Sequence, residues 1–397
     1  MVPARRTDPW AAAMLLAALA APAAAQEDIR VVTLRSPAFQ GEQKLIVRTP
    51  AAYPRRPDAR FPVLYYTDGA GNTDALAATV RFLEGQERVP PLVLVGLVHD
   101  DRTRELTPSH DRERPTSGGA DVLLAFLEKE VVPWVERTYR TAPLRILAGH
   151  SLGGLFSLHV LASRPGMFRA HVAVSPTLAW DARLPLRRLD DLVARKPEVR
   201  AIVVVARGDE GPELAHDIEK LGAILARAPG VELHAHAFPG EDHGSVVFLA
   251  DYQALLDVFA GFKMPVAAGD AGPRGGIDAV DAHFRALSVR LGTDPTPPES
   301  VLNMAAYQLV REGDLLAARS AFERVVERYP TSANARDSLG EAYERSGDLA
   351  GACREYGAAV ELATGSKDPA LPVYERNLAR ARAQRGTPGP PLPVGGP

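Results

Sequence analysis

Residues 146–162 read ILAGHSLGGLFSLHVLA, with Ser151 at the centre between Gly149 and Gly153. A merely tight turn would account for the glycines alone. An apolar strand before the serine and an amphipathic helix after it point instead to a hydroxyl pushed clear of the backbone, where a substrate carbonyl can reach it. Strand must become helix within a residue or two, so β-carbons two places before and after the serine would collide, and glycine removes them. The helix expected from Leu152 then aims unpaired N–H groups and the positive end of its dipole at the space beside the hydroxyl.

A serine hydroxyl is a weak nucleophile at neutral pH, so it needs a base, and the base needs an orienting acid. Behind an elbow of this kind the acid and then the histidine follow the serine along the chain. The chain has ten histidines, nine of them before residue 263. His99 and His110 precede the serine, and His150 sits beside it but points the other way on a tight turn. His159 and His171 follow too closely to reach back, and His216 lies in a helical pattern that suggests a solvated face. His234 and His236 share one face of a strand, a spacing that suits a metal but equally a partly wet strand surface. His243 remains, in FPGEDHGSV, a glycine-bounded loop between the last expected strand and a helix. That is the place from which an imidazole overhangs the end of a sheet.

The acid should end the preceding strand, where AIVVVARGDEGPEL offers Asp209, Glu210 and Glu213. Asp209 and Glu210 are both candidates to hold the imidazole in the correct tautomer, and Glu210 is the preferred one. The negative oxygen of a tetrahedral intermediate needs two donors. One is the N–H of Leu152. The other is expected from the loop YYTDGAGN after an earlier strand, where Gly69 and Gly71 flank Ala70 and let its N–H come close. No metal and no organic cofactor is implied.

These residues need a scaffold, and the chain supplies one. KLIVR (44–48), PVLYYT (62–67), PLVLVGLV (91–98), LRILAG (144–149), AHVAVS (170–175), AIVVVA (201–206) and VELHAHAF (231–238) read as strands. Several are almost continuously apolar, as expected when helices cover both faces of a sheet. Helical periodicity in TDALAATVRFLEG, DVLLAFLEKEVVPWVERTY, SLGGLFSLHVLASR and PELAHDIEKLGAILARA lies between them. Strands alternating with helices predict a mostly parallel α/β sheet over residues 26–262. The first strands lack intervening helices and should form an antiparallel edge.

KMPVAAGDAGPRGG (263–276) reads as a linker, and after it the strand patterns stop. Over residues 277–385 the chain repeats with a period of 34: Gly313-Asp314-Leu315 returns as Gly347-Asp348-Leu349, Ala318 as Ala352 and Phe322 as Tyr356. This all-α region resembles the tetratricopeptide repeat. Two repeats seldom stand alone, so helices near 277–291 and 370–384 should cap the stack, which is expected to dock on the first domain or roof its mouth. Arg324 and Arg328 fall on the expected wet face. The tail GTPGPPLPVGGP (386–397) offers nothing to pack.

The 397 residues exceed what one core usually serves. The net charge of −3 provides no basic field for nucleic acid or an anionic membrane. Arg5 and Arg6, then AAAMLLAALAAPAAA ending before Gln26, have the form of a secretory signal over residues 1–25. The mature protein is therefore expected to be periplasmic or secreted, without a membrane segment. Cys353 is the single cysteine, so no internal disulfide can form.

Taken together, FPVLYYTDG (61–69), RTRELTPS (102–109), LEKEVVPWVERTYRT (127–141), GHSLGG (149–154), SPTLAW (175–180) and FPGEDHGSV resemble the putative-esterase family of α/β-hydrolases, which includes esterase D and enterochelin-esterase-like enzymes. The resemblance implies an α/β-hydrolase fold and a Ser-acid-His ester hydrolase, with Ser151 and His243 as nucleophile and base. Members of that family vary in the acid, so Asp209 and Glu210 both stay open. Ala179-Trp180 replaces two aromatics common in relatives, implying a roomier pocket, with Trp180 either lining it or in the core. Arg104 is read as a salt-bridge residue ahead of an anion contact. The expected substrate is a small or siderophore-like ester. The alternatives are an acyltransferase with the same three residues, and a non-catalytic scaffold that binds a protein partner through its repeats.

Overall fold

A computed structural model of the protein describes residues 28–386. The expected leader lies outside the described residues, as does the expected tail beyond Gly386. The chain divides into two compact units, one of residues 27–263 with 284–295, the other formed around residues 264–283 and 296 onward.

The first unit is built on an eight-stranded sheet, with β1 (Asp28–Ser36), β2 (Gly41–Thr49), β3 (Phe61–Tyr66), β4 (Val93–Leu97), β5 (Thr141–His150), β6 (Ala170–Val174), β7 (Ala201–Arg207) and β8 (Val231–Ala237) in the order β1-β2-β4-β3-β5-β6-β7-β8. β1 pairs antiparallel with β2, and β2 antiparallel with β4. From β4 to β8 every pairing is parallel. This is the α/β-hydrolase fold, with the expected antiparallel edge. β1 was not anticipated, because its sequence DIRVVTLRS forms an outer edge whose Ile29 and Val31 stay exposed. Central strands are apolar on both faces because helices cover both. Ile202, Val203, Val204 and Val205 are all fully buried.

The covering helices are α1 (Gly69–Gly85), α2 (Arg102–Leu106), α3 (Ala120–Phe126), α4 (Val132–Thr138), α5 (Leu152–Ser163), α6 (Trp180–Arg195), α7 (Pro212–Leu225) and α8 (Val246–Val258). A π-helical turn over Leu127–Val131 joins α3 to α4. Pro185 lies inside α6 and masks its helical pattern in the sequence. One core packs Tyr65, Phe126, Phe156 and Phe168 against Val93, Val95 and Leu147; another packs Leu158, Leu189 and Leu221 against Val203 and Val205.

Six helices follow: α9 (Gly276–Leu291), α10 (Glu299–Glu312), α11 (Leu315–Arg328), α12 (Ala333–Arg345), α13 (Leu349–Ser366) and α14 (Leu371–Gly386). The 34-residue period has a local cause. Gly313 (φ 84°) and Gly347 (φ 83°) end α10 and α12 in the left-handed region, where glycine is favoured. Asp314 and Asp348 then cap the next helices, accepting from the N–H of Ala317 and Gly351. A β-carbon on Gly340 would lie 2.6 Å from the Tyr356 ring, so the small residue admits the aromatic of the following helix.

Arg324 and Arg328 keep solvent exposure, as expected, and there Arg324 bonds Asp278 at 2.7 Å and Asp281 at 2.6 Å, and Arg328 bonds Asp281 at 2.6 Å. One detail differs from the sequence expectations: residues 277–385 do not all belong to the helical unit. Phe284–Pro295 group with the sheet unit, where Phe284 packs edge-on against Phe262 at 5.7 Å and Arg290 donates to Glu232 at 2.7 and 2.8 Å.

Candidate active site

Ser151 occupies the turn between β5 and α5, with φ 58° and ψ −115°. That backbone region costs a non-glycine residue about 1–3 kcal/mol and survives only where its surroundings impose it. Here the Ser151 N–H donates to the Val174 carbonyl at 2.8 Å, while its own carbonyl accepts from Leu155 N–H at 3.0 Å. The glycines are required by contact. A β-carbon on Gly149 would stand 2.4 Å from the Gly153 backbone, and one on Gly153 would stand 2.1 Å from Thr67 Oγ1.

The loops after β7 and β8 meet beside this turn. His243 Nδ1 lies 2.6 Å from Glu210 Oε2. Glu210 Oε1 accepts from the Ser175 hydroxyl and from Gly208 N–H at 3.1 Å. Burial alone would raise the Glu210 carboxyl, but the bonds from Ser175, His243 and Gly208 outweigh it and hold Glu210 below the ordinary carboxylate range. Asp209 does something else: its carboxylate accepts from Gly240 N–H at 2.7 Å, and its own N–H donates to the Glu241 carbonyl at 2.7 Å. It ties down the loop, while Glu210 touches the imidazole.

Leu152 is the first residue of α5, where an N–H has no carbonyl within its own helix to bond. Ala70 also lies in a first helical turn, that of α1, and not in the loop expected from its glycines. The Asp68 carbonyl takes Gly71 N–H and Asn72 N–H, so the Ala70 N–H precedes the first bonded amide. Arg102 fixes this corner. Its guanidinium grips Asp68 at 2.5 and 3.1 Å and donates to the His150 carbonyl at 2.9 Å.

Other candidates are occupied structurally. His99 bonds Glu105 at 2.7 Å, His159 bonds Asp121 at 2.9 Å, and His171 is buried against the Ser157 carbonyl at 3.0 Å. His234 and His236 bond Glu232 at 2.7 Å and Asp257 at 2.6 Å. Trp180 is buried and donates to Ser109 Oγ at 3.0 Å, and Arg104 pairs with Glu105 at 3.5 Å. His150, expected to point away on a tight turn, meets His243, with the two rings 4.5 Å apart. Ser175 and Arg102 carried no role in the sequence reading. Their only signal was their place in SPTLAW and RTRELTPS, motifs that say nothing of which partner a side chain reaches.

The arrangement brings a carboxylate–imidazole pair and free helix-end amides to one sheet end beside an exposed-type serine turn, which suits acyl chemistry. The family described as Putative esterase matches residues 36–241. The chain belongs to that family. It is a carboxylic ester hydrolase. Ferri-bacillibactin esterase BesA of Bacillus subtilis is 29% identical to this esterase over 230 residues, half of this chain and 79% of that protein. A siderophore triacetylfusarinine C esterase of Aspergillus fumigatus is 34% identical over 148 residues, 34% of this chain and 51% of its own. An IroE-like serine hydrolase of Shewanella oneidensis superposes with a TM-score of 0.64 at 23% identity, covering 76% of the esterase and all of that structure, a likeness of fold.

Proposed function

We propose that the protein is an exported serine esterase that cleaves siderophore-like esters through an acyl-enzyme, with Ser151 as nucleophile, His243 as base and Glu210 as the orienting acid. The observation that carries this reading is the 2.6 Å bond between Glu210 and His243 Nδ1. It leaves Nε2 as the imidazole's proton-accepting atom.

On this reading Ser151 Oγ attacks the ester carbonyl as its proton passes to His243 Nε2. The oxyanion is met by the N–H groups of Leu152 and Ala70, donors that need no reorganisation. The C–O bond then breaks, the imidazolium gives its proton to the departing alkoxide, and Glu210 stabilises the cation meanwhile. Water, deprotonated by the same imidazole, releases the acid and restores Ser151. The substrate class is drawn from the relatives, whose names specify ferri-bacillibactin and triacetylfusarinine C.

Export rests on the charged, apolar and small-residue order of residues 1–25; N-terminal sequencing of the mature chain should begin at Gln26. No helix among the described residues is long and apolar enough to cross a membrane. A fluorophosphonate probe should form its adduct at Ser151, and siderophore esters should be hydrolysed ahead of p-nitrophenyl esters of simple fatty acids. An unlabelled Ser151 would overturn its role as nucleophile and favour the scaffold reading.

A further inference from the structure

We propose that His150 is a positioning residue, a latch that holds the loop carrying His243 in register with the strand that delivers the nucleophile. The inference rests on the serine-esterase reading above. His150 Nε2 lies 2.7 Å from the backbone carbonyl oxygen of His243. A carbonyl only accepts, so Nε2 must bear the proton, and His150 is the donor. The two rings also face each other, with centroids 4.5 Å apart and planes inclined by 47°.

His150 is itself well anchored. It ends β5, pairs in register with Val174 of β6, and its carbonyl takes the Arg102 guanidinium at 2.9 Å. Burial, then the neighbouring His243, hold its imidazole below the ordinary histidine range. The neutral ring can donate without placing a second cation against His243 when that side chain becomes an imidazolium.

The loop needs such a hold. His243 has a side chain 51% exposed, and the loop around it turns at Gly240 with φ 87°. Besides bonds within the loop, it is held from outside by Asp209 on Gly240 N–H and on the Glu241 carbonyl, by Glu210 on the imidazole, and by His150 on the carbonyl of residue 243. Glu210 and Asp209 both stand on the loop after β7. His150, the chain neighbour of Ser151, bonds the histidine's own backbone, so it sets the spacing between nucleophile and base directly.

The test uses the full-length protein as His150→Ala and His150→Gln. A glutamine amide N–H reaches to the place of Nε2 and can still donate. Two readouts are taken: amide hydrogen exchange over residues 239–245, and kcat and KM for p-nitrophenyl acetate. Misplacing a catalytic group by about 1 Å costs on the order of 100-fold. His150→Ala should therefore lower kcat by about 10- to 100-fold with KM nearly unchanged and quicken exchange in the loop, and His150→Gln should restore most of both. Unchanged exchange or unchanged kcat in His150→Ala would overturn the latch, as would a His150→Gln as damaged as His150→Ala. Exchange does not depend on turnover. If wild-type Ser151 proves unreactive to the fluorophosphonate, the esterase mechanism fails separately and the loop measurement still decides whether the latch exists.

Discussion

Glu210 and Asp209 are chain neighbours of equal charge with different partners. One bonds the imidazole and the other the loop backbone. On the proposed mechanism Glu210→Gln should lower kcat by roughly 10⁴-fold, the scale expected when an imidazole is left in the wrong tautomer. Asp209→Asn should cost less than about tenfold, since the amide oxygen still accepts from Gly240 N–H and a whole backbone bond is worth only about 0.5–1.5 kcal/mol. Equal losses in a p-nitrophenyl ester assay would reassign the acid. Buried His171 gives a pH-dependent expectation. Its imidazole, with no solvent to stabilise a charge, is lowered to about 4. A depressed histidine favours the neutral folded form, so its protonation drives unfolding as pH falls from the free-histidine range near 6.5 towards 4. Folding stability should drop by up to about 1.4 kcal/mol per pH unit across that window from this group. His171→Asn keeps a donor near Nδ1 and removes the titration, so chemical denaturation at pH 5 and pH 8 should show a flatter dependence in the variant.

At the scale of the element, the strand–turn–helix around Ser151 depends on close backbone approach. With 2.1 Å between a β-carbon at 153 and Thr67 Oγ1, Gly153→Ala should destabilise by several kcal/mol, beyond the 1–3 kcal/mol usual for overpacking. Adding Thr67→Ala removes the colliding oxygen and should recover part of the loss; thermal melts of the two single variants and the double variant measure that coupling. The same elements show why the site was partly legible. Gly149, Ser151 and Gly153 constrain one another over five residues, so local spacing reveals them. His243 was reached by elimination and chain order. The glycines around Ala70 suggest a turn, whereas the helix α1 begins at Gly69 once Asp68 adopts the left-handed conformation at φ 59°. Ser175, Arg102 and His150 bond partners 35, 34 and 93 positions away, and no local pattern encodes such pairings.

For the whole molecule, the boundary after the sheet unit is the feature that spacing misplaced. The segment 263–276 looks like the end of the first domain, yet residues 284–295 belong to the sheet unit. Phe284 covers Phe262 with their rings 5.7 Å apart, and Arg290 bonds Glu232 and the Val258 carbonyl. A chain ended after residue 262 should therefore lose a buried aromatic, worth about 1.5–3 kcal/mol, along with the arginine's bonds. It should melt several degrees below one ended after residue 295. Equal melting temperatures would show that the later segment adds nothing to that unit.

The order of apolar runs, the glycines about Ser151 and the 34-residue return of Gly-Asp-Leu were enough by themselves to determine the sheet class, the strand–turn–helix at Ser151 and the helical character of the later chain, because each arises from neighbours along the chain. Which carboxylate meets the imidazole, what Arg324 and Arg328 face, and where a helix late in the chain finds its apolar cover were decided only by folding. Those contacts join residues far apart in sequence, and only the packed sheet and helices bring them within hydrogen-bonding distance.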